Sequence, residues 1–178
     1  MADAAIELGE YFDYLWHDTE AWVYVPLKHP DGSFTKGFFK WPAQRKSVIN
    51  YVLKNAASEN DVYYSPALFR QTDPHKEFVL GAWVLWVDFD GNAPTEWPVD
   101  IAPAPTLIVQ SSLDRNQHCY WAIDEFIDDI ELLEDRNRAL ALALKADTSG
   151  WDADQILRPP HTVNHKRDMP VKIVRWDR

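Results

Sequence analysis

Apolar and polar residues alternate along this chain in segments that predict a mixed α and β domain. Glu20–Leu27 reads as a strand, and Phe34–Lys40 pairs with it across a turn at His29–Ser33. Pro42 opens a helix running to about Ala57, with Val48, Ile49, Val52, Leu53 and Ala56 on one face. Asp61–Tyr64 is a short strand and Phe78–Asp90 contains a long central one. Thr106–Gln110 and His118–Ala122 form a hairpin around the polar loop Ser111–Gln117. Helical spacing then runs from Ile123 to about Ala146, through apolar positions 123, 126, 127, 130, 133, 140 and 144, until Asp147–Gly150 stops it. Val171–Trp176 closes the chain as a strand, while Pro94, Pro98, Pro103 and Pro105 keep the connection before the hairpin irregular.

The stretch Ala82–Asp90, AWVLWVDFD, carries the strongest chemical signal. Alternation along a strand sends Trp83, Leu85, Val87 and Phe89 one way and Asp88 and Asp90 the other. Two such carboxylates sit about 7 Å apart along the strand, within reach of a shared pair of hard divalent cations. Two unpaired charges at the end of so apolar a strand are costly to bury. They are either metal ligands or capped and paired acids, and Gly91 lets the chain turn away after them. Two further clusters follow. Ser111–Trp121, SSLDRNQHCYW, places His118 on a strand beside Tyr120, with Cys119 and Trp121 facing inward; His118 is either a ligand or a structural residue. Trp151–Lys166, WDADQILRPPHTVNHK, sets Asp152 and Asp154 before a proline-stiffened loop bearing Arg158, Thr162, Asn164 and Lys166, which suits either an anion site or a surface loop with ion pairs.

Composition narrows the classes. The chain has 178 residues, 46% hydrophobic and 13% aromatic, which suits one domain with a sizeable core. No apolar run approaches the ~18 residues of a membrane span, and MADAAIELGEY lacks the features of a signal peptide, so a cytoplasmic protein is expected. Its single cysteine, Cys119, excludes an internal disulfide and any multi-cysteine zinc site. A net charge of −10 argues against non-specific nucleic-acid binding. Its distribution is uneven: seven acids and no base lie between Asp124 and Asp135, whereas His165–Arg178 holds five bases against two acids. Trp41, Trp97 and Trp151 sit at loop edges and are the tryptophans placed to stack on bases.

In order and content the three clusters resemble the archaeo-eukaryotic primase superfamily, in particular its phage and plasmid primase–polymerase domains. Leu85–Asp90 matches the hhhDhD motif of that family and Asn116-Gln117-His118 its small-x-His motif. Asp152 to Lys166 matches its D-x-x-R-x-L-R-x-P-G-T-x-N-x-K segment, and Asp61–Tyr64, DVYY, resembles its Asn-Val-Tyr-Phe strand. The resemblance spans about residues 61–166 and departs at His161, where the family has Gly, and at Gln155, where Arg is common.

What the resemblance implies is an α+β fold: an RRM-like core with a central, mostly antiparallel sheet and helices on one side. It also implies a single catalytic domain over residues 1–178, without helicase or zinc module, that joins NTPs or dNTPs on single-stranded or primed DNA. Two Mg²⁺ or Mn²⁺ ions would be held by Asp88, Asp90 and Asp152, with Asp154 as the alternative to Asp152. Ser112, His118, Arg158, Asn164 and Lys166 would bind the nucleotide, and Arg45, Lys46, Lys172 and Arg175 the template phosphates. De novo priming would call for a helicase or a helical module in trans. A catalytically silent nucleic-acid-binding module and a metal-dependent nuclease are the competing expectations.

Overall fold

The computed structural model describes residues 2–177. The chain opens with helix α1 (Ala2–Trp16), followed by β1 (Ala21–Tyr24), β2 (Leu27–Lys28), β3 (Phe34–Thr35) and β4 (Phe38–Trp41). Helix α2 (Arg45–Ala56), β5 (Asp61–Val62), β6 (Leu68–Phe69) and the long β7 (Val79–Phe89) come next. The hairpin of β8 (Leu107–Gln110) and β9 (Gln117–Ile127) leads into α3 (Ile130–Ala143), and β10 (Val163–Asn164), β11 (Met169–Pro170) and β12 (Lys172–Trp176) finish the chain.

Seven strands form one sheet in the order β12-β8-β9-β7-β6-β1-β4, and every recorded pairing in it is antiparallel. The expected α+β architecture is the one observed. Helices, however, flank the sheet rather than lining one side. On the face shared by Ala82, Val84 and Trp86 lies the larger core, built with Leu8, Tyr11, Phe12 and Leu15 of α1. The reverse face carries a second core of Val87, Phe89, Cys119 and Trp121, covered by Ala141 and Leu144 at the end of α3 and by Trp97 of the proline-rich connection. His118 and Tyr120 therefore face one core while Cys119 and Trp121 face the other, and both sides of this hairpin are inside.

Two elements differ from the sequence pattern. Helix α1 was not expected, although Leu8, Tyr11, Phe12, Leu15 and Trp16 repeat at the spacing of one helical face. The segment Ile123–Ile127 is strand, not helix: β9 extends to Ile127, which pairs with Ala82 of β7 after an irregularity in register. Helix α3 starts only after Asp129, whose side chain accepts a hydrogen bond from the Leu132 amide at 3.1 Å, so Asp124, Glu125 and Asp128 lie outside it and are exposed. Apolar residues at 123, 126, 127 and 130 satisfy a helical period, and the pairing with β7 overrides it.

The edge of β7 near its C-terminus is finished by α3 instead of a strand. Beyond the β6 pairing, the Trp86 amide donates to Asn137 Oδ1 at 3.0 Å and the Asp147 amide to the Asp88 carbonyl at 3.0 Å. At the centre of the larger core, the hydroxyls of Tyr11, Tyr64 and Tyr120 form a closed triangle of hydrogen bonds, with all three residues at 0% exposure. Three phenols can each donate to the next, so a wholly buried polar group is satisfied without water. No helix among the described residues is long and apolar enough to cross a membrane.

Tyr120→Phe is expected to leave one buried hydroxyl short of a partner and to cost about 1–2 kcal/mol. That corresponds to roughly 2–8 °C in Tm, which thermal unfolding followed by circular dichroism measures.

Candidate active site

A cavity of about 180 Å³ lies where β7 ends, beside the β8–β9 loop and the loop after α3. Asp88, Asp90, Ser112, His118, Arg158, Asn164 and Lys166 all line it. Seven residues singled out from three separate sequence clusters thus share one small site. Phe89, Asp147, Asn116, Ser111 and Arg167 complete the lining.

Sheet register sets the acids. Asp88 stands directly opposite His118, and His118 Nε2 lies 3.7 Å from Asp88 Oδ1. Past Phe89 the chain reverses at Gly91, whose φ of +83° is a conformation that glycine adopts without strain. Asp90 is fixed by Asn116, whose Nδ2 donates to Asp90 Oδ1 at 2.7 Å. A second glycine, Gly150, gives the turn after α3 room to pass: a Cβ there would lie 3.2 Å from that of Asp88.

The cationic wall is built by the DVYY strand. Arg158 donates from Nη2 to the Tyr63 hydroxyl at 2.5 Å and from Nε to Asp61 Oδ1 at 3.4 Å, with its guanidinium 4.6 Å from the Tyr63 ring centroid. Asp61 also accepts the His165 amide at 3.1 Å, and Tyr64 and Leu157 exchange both backbone hydrogen bonds. Asp61–Tyr64 therefore holds the loop that presents Arg158 and Lys166. Asn164 is tied inward, donating to the Ser111 carbonyl at 3.1 Å. His161 occupies the position where glycine was expected and adopts a left-handed φ of +63°, with Nε2 2.6 Å from Glu7 Oε2 on α1. Histidine is among the residues that tolerate this region, and here an α1 carboxylate secures it.

Electrostatics separate the two halves of the site. Burial, and then the charges of Asp147 and Asp90, push the Asp88 carboxyl up to about 7, with Arg158 opposing. Burial and then the Arg158 charge push His118 down to about 3, so its ring is neutral at physiological pH. Its Nδ1 makes no well-aligned hydrogen bond, the Arg158 backbone only slightly favouring the protonated form. Asp88 thus lies among like charges without a cation to neutralise it fully. Oxygen donors crowded at a negative potential suit a hard divalent cation. Among the described residues no three His, Cys, Asp or Glu side chains are gathered tightly enough to hold an ion as they stand. The carboxylates of Asp88, Asp90 and Asp147 offer such an ion matching donor chemistry, though not a ready-made cage.

Asp152 does not line this cavity. Together with Asp154 it sits near Glu134 and Lys76, where burial and the Glu134 charge raise its carboxyl from the usual range. Glu134 in turn bonds Lys76 and accepts the Ala153 amide at 3.0 Å, so this acidic group fastens the loop to α3. The carboxylate found at the cavity is Asp147, which sequence reasoning read only as a helix stop. The expected template contacts do not form one patch: Arg45 is held by both oxygens of Asp13, Arg175 pairs with Asp177, and Lys46 and Lys172 are exposed. Helix α2 packs near β4 and β12 forms the opposite edge of the sheet. Of the tryptophans, Trp41 is buried in the core, Trp97 packs against Trp121, and Trp151 lies under Arg138.

No protein-family profile and no curated protein matches the chain. Solved structures do. The AEP domain of cyanophage S-2L primase–polymerase superposes with a TM-score of 0.72 at 11% identity, over 97% of this chain and 89% of that one. The catalytic domain of primase RepB′ in complex with initiator DNA gives 0.71 at 18% identity, over 98% and 86%. A longer chain of primase RepB′ gives 0.68 at 18%, over 96% of this chain and 56% of its own. The chain has the primase–polymerase fold. Similarity across nearly the whole chain extends the resemblance well beyond residues 61–166 and includes α1.

The raised Asp88 carboxyl has a consequence for metal-free protein. An unfolded Asp titrates near 3.9, so between that pH and about 7 folding takes up a proton. Stability therefore falls as pH rises through this window. Asp88→Asn is expected to flatten the profile and to stabilise the fold at pH ~8 by about 1–3 kcal/mol, read from denaturant unfolding in EDTA. His161→Gly is expected to change stability by less than about 1 kcal/mol, the relieved φ offsetting the lost Glu7 contact, in the same assay.

Proposed function

We propose that this chain is a template-dependent nucleotidyltransferase, a DNA primase or polymerase that joins NTPs or dNTPs on single-stranded or primed DNA. One observation carries the reading: on a primase–polymerase fold, three carboxylates and a set of phosphate-matching cations from separate segments line the same cleft.

Asp88, Asp90 and Asp147 would hold the two divalent ions, with Asp147 taking the place first expected of Asp152. Mg²⁺ or Mn²⁺ bound there would supply acidification of the attacking 3′-hydroxyl and neutralisation of charge on the departing pyrophosphate. The protein's own groups do the rest. Arg158, held in plane by Tyr63 and Asp61, offers a planar fork to phosphate oxygens, and Lys166 adds a point charge. His118 is neutral, so it serves as an N–H donor to the nucleotide rather than as a cation. Ser112 and Asn164 shape the same wall; the bond from Asn164 to the Ser111 carbonyl keeps the β8–β9 loop against the nucleotide loop. Asn116 positions Asp90. The neighbouring structure containing initiator DNA supports a DNA template for this chain, and a helicase or helical module in trans would serve de novo priming.

Primer extension with Mn²⁺ tests the assignment. Asp88→Ala, Asp90→Ala and Asp147→Ala are each expected to lower incorporation by at least about a hundredfold, and Asp152→Ala by far less. Equal losses in Asp147→Ala and Asp152→Ala would sink the choice of third ligand. Cleavage of labelled DNA without nucleotides would favour a nuclease, and no incorporation on any template a silent module. Lys166→Ala and His118→Ala are expected to raise the nucleotide KM about tenfold or more, the worth of a charge-assisted contact at ~1.5–3 kcal/mol. Template affinity should stay unchanged, which a parallel DNA-binding titration checks.

A further inference from the structure

The end of the sheet remote from the cleft carries a surface that the nucleotidyl-transfer chemistry does not use. On its β1–β4 pair, Trp22 faces Lys40 and Tyr24 faces Phe38 across the strands, so aromatic and cationic side chains share one face. Lys40 Nζ lies 5.5 Å from the Trp22 ring centroid, and the Tyr24 and Phe38 rings stack at 4.7 Å. Phe69, the other cross-strand neighbour of Trp22, is buried and meets the Tyr24 and Phe38 rings edge-on. Beside this face opens a cavity of about 660 Å³ that includes Trp22, Lys40, Phe69, Arg70 and Leu80, with Glu20 its one acid. Lys40 and Arg70 are exposed, and Trp22 and Phe38 are half-buried.

We infer that this surface is a second docking site for single-stranded DNA, holding template bases on Trp22 and Phe38 and template phosphates on Lys40 and Arg70. Two observations select this occupant. Local cations on a chain of net charge −10 favour an anionic partner. Aromatic faces beside those cations favour an anion that also offers flat π surfaces, which unpaired bases do and a duplex backbone does not. A flexible lysine stem allows the Lys40 ammonium to leave the ring for a phosphate as a base arrives. Trp22 and Phe38 are therefore the stacking residues, in place of the loop-edge tryptophans.

Position gives the length of strand involved. Leu80 and Asp88 are eight residues apart on β7, and β1 lies two strands over. At ~3.3 Å per residue and ~4.8 Å per strand, the site is roughly 28 Å from the acidic cleft along the sheet, so a strand reaching both spans at least about eight nucleotides at a stacked rise of ~3.4 Å. The link to a template strand rests on the nucleotidyltransferase reading, whereas strand binding itself does not.

Fluorescence anisotropy with labelled oligo(dT) of about eight and about twenty nucleotides tests it. Wild-type protein is expected to bind the longer strand more tightly. Trp22→Ala should weaken binding of the longer strand by about five- to a hundredfold. Lys40→Glu with Arg70→Glu, at exposed positions that leave the core intact, should weaken it and lessen its salt dependence. Incorporation on a template too short to reach the site should be unaltered in every variant. Unchanged affinity for the longer strand in Trp22→Ala or in the charge-reversal variant overturns the inference. If wild type incorporates no nucleotide yet long-strand affinity depends on Trp22 and Lys40, the nucleotidyltransferase reading falls and the docking site stands.

Discussion

The hydrogen-bonded triangle of Tyr11, Tyr64 and Tyr120 is the junction on which the rest of the structure depends. Each phenol comes from a different part of the chain: α1, the segment after β5, and β9. Two of them also stand next to residues of the cleft wall. Tyr64 follows Tyr63, which carries Arg158, and Tyr120 lies two residues beyond His118 on the same face of the sheet. A buried hydroxyl must find a partner or incur its desolvation cost. These three find only one another, so the segments that present the cationic wall and the histidine are held in one relative arrangement.

Around that fixed frame the cleft is built from opposed tendencies. Its acids repel one another, and its cations are spoken for only in part: Arg158 by Tyr63 and weakly by Asp61, Lys166 by nothing that buries it. Under the proposed function such a site would take a ligand carrying both signs of charge, as a nucleoside triphosphate with its divalent ions does. The backbone bond from the Asp147 amide to the Asp88 carbonyl secures the third acid through the main chain. Placement of that carboxylate therefore does not rely on the side chains whose repulsion it adds to.

Much of this was legible in the sequence, because strand alternation and motif order report on local chemistry. Leu85–Asp90, Asn116–His118 and Arg158–Lys166 were found in the residues and meet in space. Asp147 was not, since a polar residue closing a helix looks the same whether or not it serves a site; its proximity to Asp88 arises from the way α3 crosses the edge of β7. Residues 123–127 were misread because their apolar spacing satisfies two periods at once and only the partner strand decides between them. Helix α1 is legible in the spacing of Leu8, Tyr11, Phe12 and Leu15. The basic residues gave the weakest guide, as Arg45 and Arg175 prove to be occupied by neighbouring acids.

Helix α1 precedes the other described elements and, besides packing on α2, is bonded to segments far along the chain. Tyr14 bonds Thr106 across 92 residues, Tyr11 bonds Tyr120 across 109, and Glu7 meets His161 across 154. Pairings so distant in sequence close large loops before they are rewarded, which places such chains among the slow folders. On a ribosome the apolar stripe of Leu8, Phe12 and Leu15 is only partly covered until the central hairpin has emerged, and the His161 loop can meet Glu7 only once the residues between them have been made. Until those segments have formed, α1 carries an uncovered apolar stripe, a hydrophobic liability that only its distant partners remove.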